Sequence, residues 1–239
     1  MDAAEHHEIL GLFPKEREAV LSWLNRLAMA YGSSPREISK YLGVPIKSLR
    51  ETSIVPFTVE KLLDVTGYSR GHFALNELVT KHIPSLVLPE HYYLRRLRGG
   101  AIKFRFCPKC LLYDEVPIFK VDWCLDFVRY CLHHKCLLES RCPHCNSDVC
   151  LPYDVYSGKR LRFDIVSLAQ CSTCGNLLTA VDEVPMRVIG IGERGEFRLN
   201  SVRNGMAVMA SLVCGYGIDR LTKKRFDLRF VGSMNRPGF

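Results

Sequence analysis

Cysteine and histidine pairs set two residues apart constrain this chain more than any other feature. They are Cys107-Pro108-Lys109-Cys110, Cys131-Leu132-His133-His134, Cys142-Pro143-His144-Cys145 and Cys171-Ser172-Thr173-Cys174. Twenty residues separate the first two pairs and twenty-five separate the last two. Ligands at this spacing grip one ion from a single tight turn, and zinc takes four such ligands in a tetrahedron. Pro108 and Pro143 sit inside the turns, where a fixed φ favours the bend. Four half-sites taken in pairs predict two structural Zn²⁺ ions. One is held by Cys107, Cys110, Cys131 and His134, the other by Cys142, Cys145, Cys171 and Cys174. His133 competes with His134 for the fourth position of the first site, and the commoner C-x2-H spacing favours His134.

Disulfides would need an oxidising compartment. Residues 1–15 are polar and acidic, without the apolar run of a signal peptide, and eleven cysteines is an odd number. The expectation is a reduced, cytoplasmic protein. A catalytic zinc keeps one coordination position open for water, and two four-ligand sites leave none. The H-E-x-x-H and deaminase H-x-E signatures are absent. The metal is therefore expected to fold the chain, and no enzyme is predicted. Cys124, Cys136, Cys150 and Cys214 are left over and read as small core residues.

The formal net charge of the 239 residues is +8. Seven ligand thiolates and two Zn²⁺ lower it to about +5. The excess lies mostly at the end: residues 186–239 carry 10 Lys and Arg against 4 Asp and Glu, while residues 1–100 carry 13 against 11. Such a segment suits a phosphate backbone or an acidic partner. No window approaches the apolar length of a membrane span.

Along the chain, Pro14 opens a predicted helix to Tyr31, with Val20, Leu24, Leu27 and Tyr31 on one face and Leu21 and Ala28 beside them. Gly32 ends it. Ser34-Pro35-Arg36-Glu37 reads as a capping box for a short helix that turns Ile38 and Leu42 inward and stops at Gly43. A third helix over 46–51 would complete a helix-turn-helix, aiming Lys47, Ser48 and Arg50 at a nucleic-acid groove. Residues 57–81 repeat the helical pattern around Leu62, Leu63 and Gly67. Arg95, Arg96 and Arg98 follow Tyr92 and Tyr93 and, with Lys103 and Arg105, suit phosphate contact. Trp123 to Tyr130 is expected as a short helix roofing the first zinc. Alternation around Leu161, Phe163 and Ile165 suggests a ribbon hairpin within the second site.

Gly190-Ile191-Gly192-Glu193-Arg194-Gly195 matches a dinucleotide fingerprint, but too little chain follows to build the βαβ units that fold needs. Arg220, Lys223, Lys224 and Arg225 add a last basic stretch. The fold class is thus mainly α with small zinc-ribbon β elements. A helix-turn-helix region spans 1–100, a tandem zinc-finger module 101–185, and a basic segment with hairpin and helix 186–239.

The order of parts resembles the TniQ family, which includes the target-selection protein TnsD of bacterial transposons. Ser22-Trp23-Leu24-Asn25-Arg26-Leu27-Ala28 resembles its N-terminal S-W-L-x-R-L-A. Arg105 to Leu111, Trp123, Cys131 to His134, and Leu137-Leu138 through Cys145 match its zinc-finger block. The likeness covers about residues 14–175. Lys120 stands where the family often has arginine, and Lys135 where it commonly has glycine. The resemblance implies a bacterial adaptor, not a catalyst. It would recruit a TnsC-like AAA+ regulator to target DNA or to a Cascade-like effector complex with its guide RNA, and it leaves room for a homodimer. No phosphate-binding G-x-x-x-x-G-K-S/T loop is present. The alternative is a zinc-containing helix-turn-helix transcription regulator that reads a defined operator by itself.

Overall fold

A computed structural model describes residues 12–43, 56–68, 102–151, 165–181, and within the C-terminal segment 204, 205, 207, 211, 214, 216–218 and 222–227. The first helix, α1, spans Val20–Ala30 and does not start at Pro14. The backbone before it is committed elsewhere. Ala19 N–H donates to Phe119 O at 2.8 Å, and Val121 N–H donates to Arg17 O at 2.9 Å. Residues 17–19 thus lie antiparallel against 119–121, with Glu18 bridging Lys120. Amides and carbonyls used across the chain cannot also serve a helix.

Val20, Leu21, Trp23, Leu24, Leu27 and Ala28 of α1 are buried, and so are Ser22, Asn25 and Arg26. The helix is enclosed on nearly every side, which an apolar stripe alone does not require. Its buried polar side chains are paired. Glu18 accepts from Ser22 Oγ, from Arg26 Nε and Nη2, and from Lys15 N–H. Trp23 Nε1 donates to Leu12 O. Tyr31, expected on the inner face, is instead the exposed C-cap, because Gly32 at φ +58 turns the chain away.

The second helix, α2, spans Pro35–Tyr41 and has the predicted capping box, with Glu37 N–H donating to Ser34 Oγ and Ser34 N–H to the Glu37 carboxylate. Ile38 and Leu42 are buried, and Gly43 closes the helix at φ +64. α2 packs on α1. A third helix, α3 (Pro56–Thr66), places Leu62 and Thr66 in the core and ends at Gly67 with φ +66. The helix expected over 46–51, and with it the helix-turn-helix, lies outside the described residues.

From residue 102 the chain runs mostly in turns and two-residue strands. β1 (Ile102–Lys103) pairs antiparallel with β4 (Cys150–Leu151), and β2 (Tyr130–Cys131) with β3 (Cys136–Leu137). A helix, α4, covers Pro108–Tyr113. The helix expected from Trp123 to Tyr130 is absent: a 3-10 turn at Val121–Cys124 gives way to an open loop. The carbonyls of Leu125, Asp126 and Val128, which a helix would bond internally, all accept from Arg105 at 2.8–3.0 Å.

One hydrophobic cluster joins Trp23, Leu24 and Leu27 of α1 to Phe104, Phe106, Phe119 and Trp123 of the cysteine-rich segment. Phe119 meets Phe104 and Trp123 edge-on, at 5.8 and 6.1 Å between ring centroids. Residues 204, 205, 207, 211 and 214 are helical, and a Cβ at Gly205 would collide with the Phe127 carbonyl. β5 (Tyr216–Ile218) and β6 (Arg225–Asp227) form a terminal hairpin.

Ser22 is the polar joint between α1 and the cysteine-rich segment: its Oγ donates to Glu18 and accepts from Phe119 N–H at 3.0 Å. Ser22→Ala leaves that buried amide without its acceptor and is expected to cost about 1–3 kcal/mol. Urea titration of zinc-loaded protein measures it; an unchanged midpoint would show that the joint carries no stability.

Candidate metal centres

The four half-sites close into two clusters. Cys107, Cys110, Cys131 and His134 bring three Sγ atoms and a ring nitrogen within 4.8 Å of one another, and Cys142, Cys145, Cys171 and Cys174 do the same with four Sγ atoms. In the first, His134 Nδ1 lies 3.4, 3.3 and 3.9 Å from the sulfurs of Cys107, Cys110 and Cys131, and Cys110 lies 3.7 Å from Cys131. In the second, the Cys142–Cys174 and Cys145–Cys171 edges are 3.7 and 3.8 Å. A tetrahedron with Zn–S of about 2.3 Å and Zn–N of about 2.0 Å has S–S edges near ~3.8 Å and S–N edges near ~3.5 Å. The donor sets fit Zn²⁺. His134, not His133, completes the first; the exposed His133 ring packs edge-on against it.

The knuckles share one local geometry. Cys131 pairs with Cys136 across β2–β3, and Cys142 and Cys171 N–H donate to Ser147 O and Asn176 O, the fifth residues onward. His134 N–H, His144 N–H and Thr173 N–H point at the leading sulfurs of their turns at 3.4 Å. Each turn then reverses through a left-handed residue: Lys135 at φ +51, Asn146 at +56 and Gly175 at +78. The first pair differs, because Cys107 is the N-cap of α4, Pro108 opens that helix, and Cys110 lies one turn along it.

Close packing of thiols resists more than one negative charge without a cation. Cys110 is pushed far up by hydrogen bonds to Cys107 and Cys131 and by burial. Cys131 is pulled far down by hydrogen bonds from Cys107 and Cys110. Cys107 ends raised: the Cys110 bond lowers it, but bonds to Cys131 and Cys136 and burial outweigh that. In the second cluster burial raises Cys142 to about 12. Burial also raises Cys145, but Ser147 outweighs it through its hydroxyl, 3.0 Å from the sulfur, and its amide, and brings that thiol to about 6.

Lys120 and Ser147 are site residues that ligand spacing does not reveal. Lys120 Nζ lies 3.5 Å from Cys110 Sγ and 5.5 Å from the Trp123 ring, where it would offset the net negative charge of three thiolates on one Zn²⁺. Its signal in the sequence was a basic residue just before the tryptophan. Cys136, read as core, is fully buried with its sulfur 3.6 Å from Cys107.

Of the residues expected at nucleic acid, Lys47, Ser48, Arg50, Arg95, Arg96, Arg98 and Arg220 lie outside the described residues. Lys103 pairs with Asp148 at 2.9 Å. Arg105 needs correction: it is buried, and besides its three carbonyl bonds it reaches the Asp126 carboxylate at 3.1 Å, so its donors organise the 125–128 loop. Lys223, Lys224 and Arg225 are exposed.

The sequence pattern of the TniQ family matches residues 10–138, more than half of the chain. The chain belongs to the TniQ family. No curated protein matches it. The TniQ match begins before α1, runs through all four residues of the first cluster, and ends before the second cluster begins. Within it, Ser22, Trp23, Arg26 and Arg105 are all inward-facing hydrogen-bond donors. The family-like positions of this TniQ protein therefore mark the joint between helix and metal module.

Two outcomes follow from this geometry. Lys135 holds a left-handed conformation that glycine adopts without strain, so Lys135→Gly is expected to raise stability by about 1 kcal/mol; a lower urea midpoint would contradict it. Loading the first cluster must also expel the protons of Cys107 and Cys110, while Cys131 has already lost its own. Zinc affinity should then fall about a hundredfold from pH 8 to pH 7. Competition with a chromophoric chelator reads this, and a pH-independent affinity would show that the ligands are not protonated thiols when empty.

Proposed function

We propose that this protein is a non-catalytic adaptor of DNA transposition in the bacterial cytoplasm. It selects the target site by linking target-bound DNA, or a guide-RNA effector complex of the Cascade kind, to a TnsC-like AAA+ regulator. The TniQ match over residues 10–138 carries this reading, because it places the chain among transposition proteins. The metal clusters are compatible with a scaffold: each gathers four protein donors, the complement of a structural zinc, whereas catalysis needs a position for water. The backbone of 17–19 and the Glu18 network fix α1 against the first cluster, which gives a partner one rigid surface instead of two hinged ones. No helix among the described residues is long and apolar enough to cross a membrane.

The test uses the zinc-loaded full chain and a TnsC-like AAA+ ATPase from the same source, mixed with ATP and separated by size exclusion. A stable complex that disappears when zinc is chelated is the expected outcome. Failure of correctly folded, zinc-loaded protein to bind the ATPase would sink the adaptor reading. Tight solitary binding to one operator would indicate a transcription regulator in its place.

A further inference from the structure

The C-terminal hairpin lies beyond the family match and outside both metal clusters. Its strands pair Tyr216 with Asp227, Gly217 with Phe226 and Ile218 with Arg225. In this register Arg225 lies diagonal to Tyr216, a spacing that a long side chain spans on one face of a two-stranded sheet. The Arg225 guanidinium carbon accordingly sits 3.7 Å from the centroid of the Tyr216 ring. That stack is closer than a loosely held surface pair, and it removes much of the rotational freedom a solvated arginine keeps.

The turn is shaped as well. Lys224 N–H donates to Thr222 Oγ1 at 3.3 Å, and Lys223 adopts φ +57. A non-glycine residue in that region is uncommon and marks a defined bend. Lys223, Lys224 and Arg225 are thus three consecutive cations where the chain enters β6, all exposed. Several other surface cations meet carboxylates: Lys103 and Arg141 meet Asp148, and Arg129 meets Asp126. Among the described residues, no carboxylate lies within ion-pair distance of these three.

We propose that this hairpin is a backbone clamp for duplex DNA. Lys223 and Lys224 hold phosphates of the target duplex, and the guanidinium of Arg225, oriented by Tyr216, binds a further one through its planar edge. Duplex DNA presents one negative charge per ~1.7 Å of axis, a density that unpaired neighbouring cations match and an acidic protein face rarely does. An arginine fixed by stacking loses little entropy when its fork meets phosphate oxygens. The contact carries no base reading, so it adds affinity and register to whatever selects the site. The inference rests on the reading of the chain as a transposition adaptor that meets target DNA.

The zinc-loaded full chain is titrated with a fluorescent duplex at salt concentrations from about 50 to about 200 mM, alongside single-stranded DNA and duplex RNA of the same length. Each lost phosphate contact removes about 0.9 from the slope of log K against log salt. Lys223→Ala with Lys224→Ala should flatten the duplex slope by about 1.8, and so shrink the affinity ratio across that salt range about tenfold. Tyr216→Leu should weaken duplex binding while Tyr216→Phe retains it, since phenylalanine keeps the ring under the guanidinium. Zinc stoichiometry and circular dichroism confirm that each variant is folded.

An unchanged slope in the double variant overturns the clamp, as does tighter binding of single-stranded DNA or duplex RNA. So does loss of ATPase binding in the variants with duplex binding intact, which would assign the hairpin to an acidic protein face. If wild type binds duplex and the double variant shows the expected slope change, but wild type forms no ATPase complex, the adaptor reading fails and the clamp stands.

Discussion

Thiolate charge gathered at two points, and the cation needed to hold it, governs the rest of this structure. Strands of two residues have no stability of their own, and isolated hairpins are marginal even when longer. Yet β1–β4 and β2–β3 are the regular sheet elements of residues 102–151. Metal ions held by the two clusters would fix them. Binding free energy at structural zinc sites is folding free energy, of order 10–16 kcal/mol in zinc-finger peptides. That exceeds what so little regular backbone could supply. The aromatic cluster of Phe104, Phe119 and Trp123 then packs on a frame the ligands have already set.

The N-terminal helix depends on that frame in turn. Its enclosure puts Glu18, Ser22 and Arg26 in the interior, where unpaired charge would be very costly. They are satisfied only because Arg26 forks onto both Glu18 oxygens and Ser22 relays to the Phe119 amide. A buried ion pair adds little net stability over apolar packing, but removing one partner is severe. Its consequence here is orientational. The helix can sit against the cysteine-rich segment in one register only, since any other would strand these groups.

The ligand sets were legible because zinc coordination is local: a spacing of two residues dictates a turn, and turns of that kind pair in few ways. Helix ends at Gly32, Gly43 and Gly67 were legible for a similar reason, since each needs a left-handed residue and glycine is the cheapest. Two helices were misplaced by the same omission. Periodicity saw the apolar side chains of 14–31 and 123–130 but not the long-range acceptors and donors that claim their backbones. Residues 17–19 are held by 119–121, and 125–128 by Arg105, contacts that span more than a hundred and about twenty residues respectively. Lys120 and Ser147 were missed because their roles depend on how the turn faces the sulfur, which residue order does not encode.

Arginine shows most clearly where composition stops being informative. Arg105 and Arg225 both sit in basic stretches, and charge alone assigns them the same work. Arg105 ends up buried under three carbonyls and a carboxylate, because the loop at 125–128 folds over it and turns those oxygens toward its guanidinium. Arg225 stays at the surface on a tyrosine ring. The buried arginine then acts at a distance. By fixing the loop it places the Phe127 carbonyl where the backbone of Gly205 lies against it, too close for any side chain at that position. A residue two positions before a cluster cysteine thereby organises the loop against which Gly205 packs.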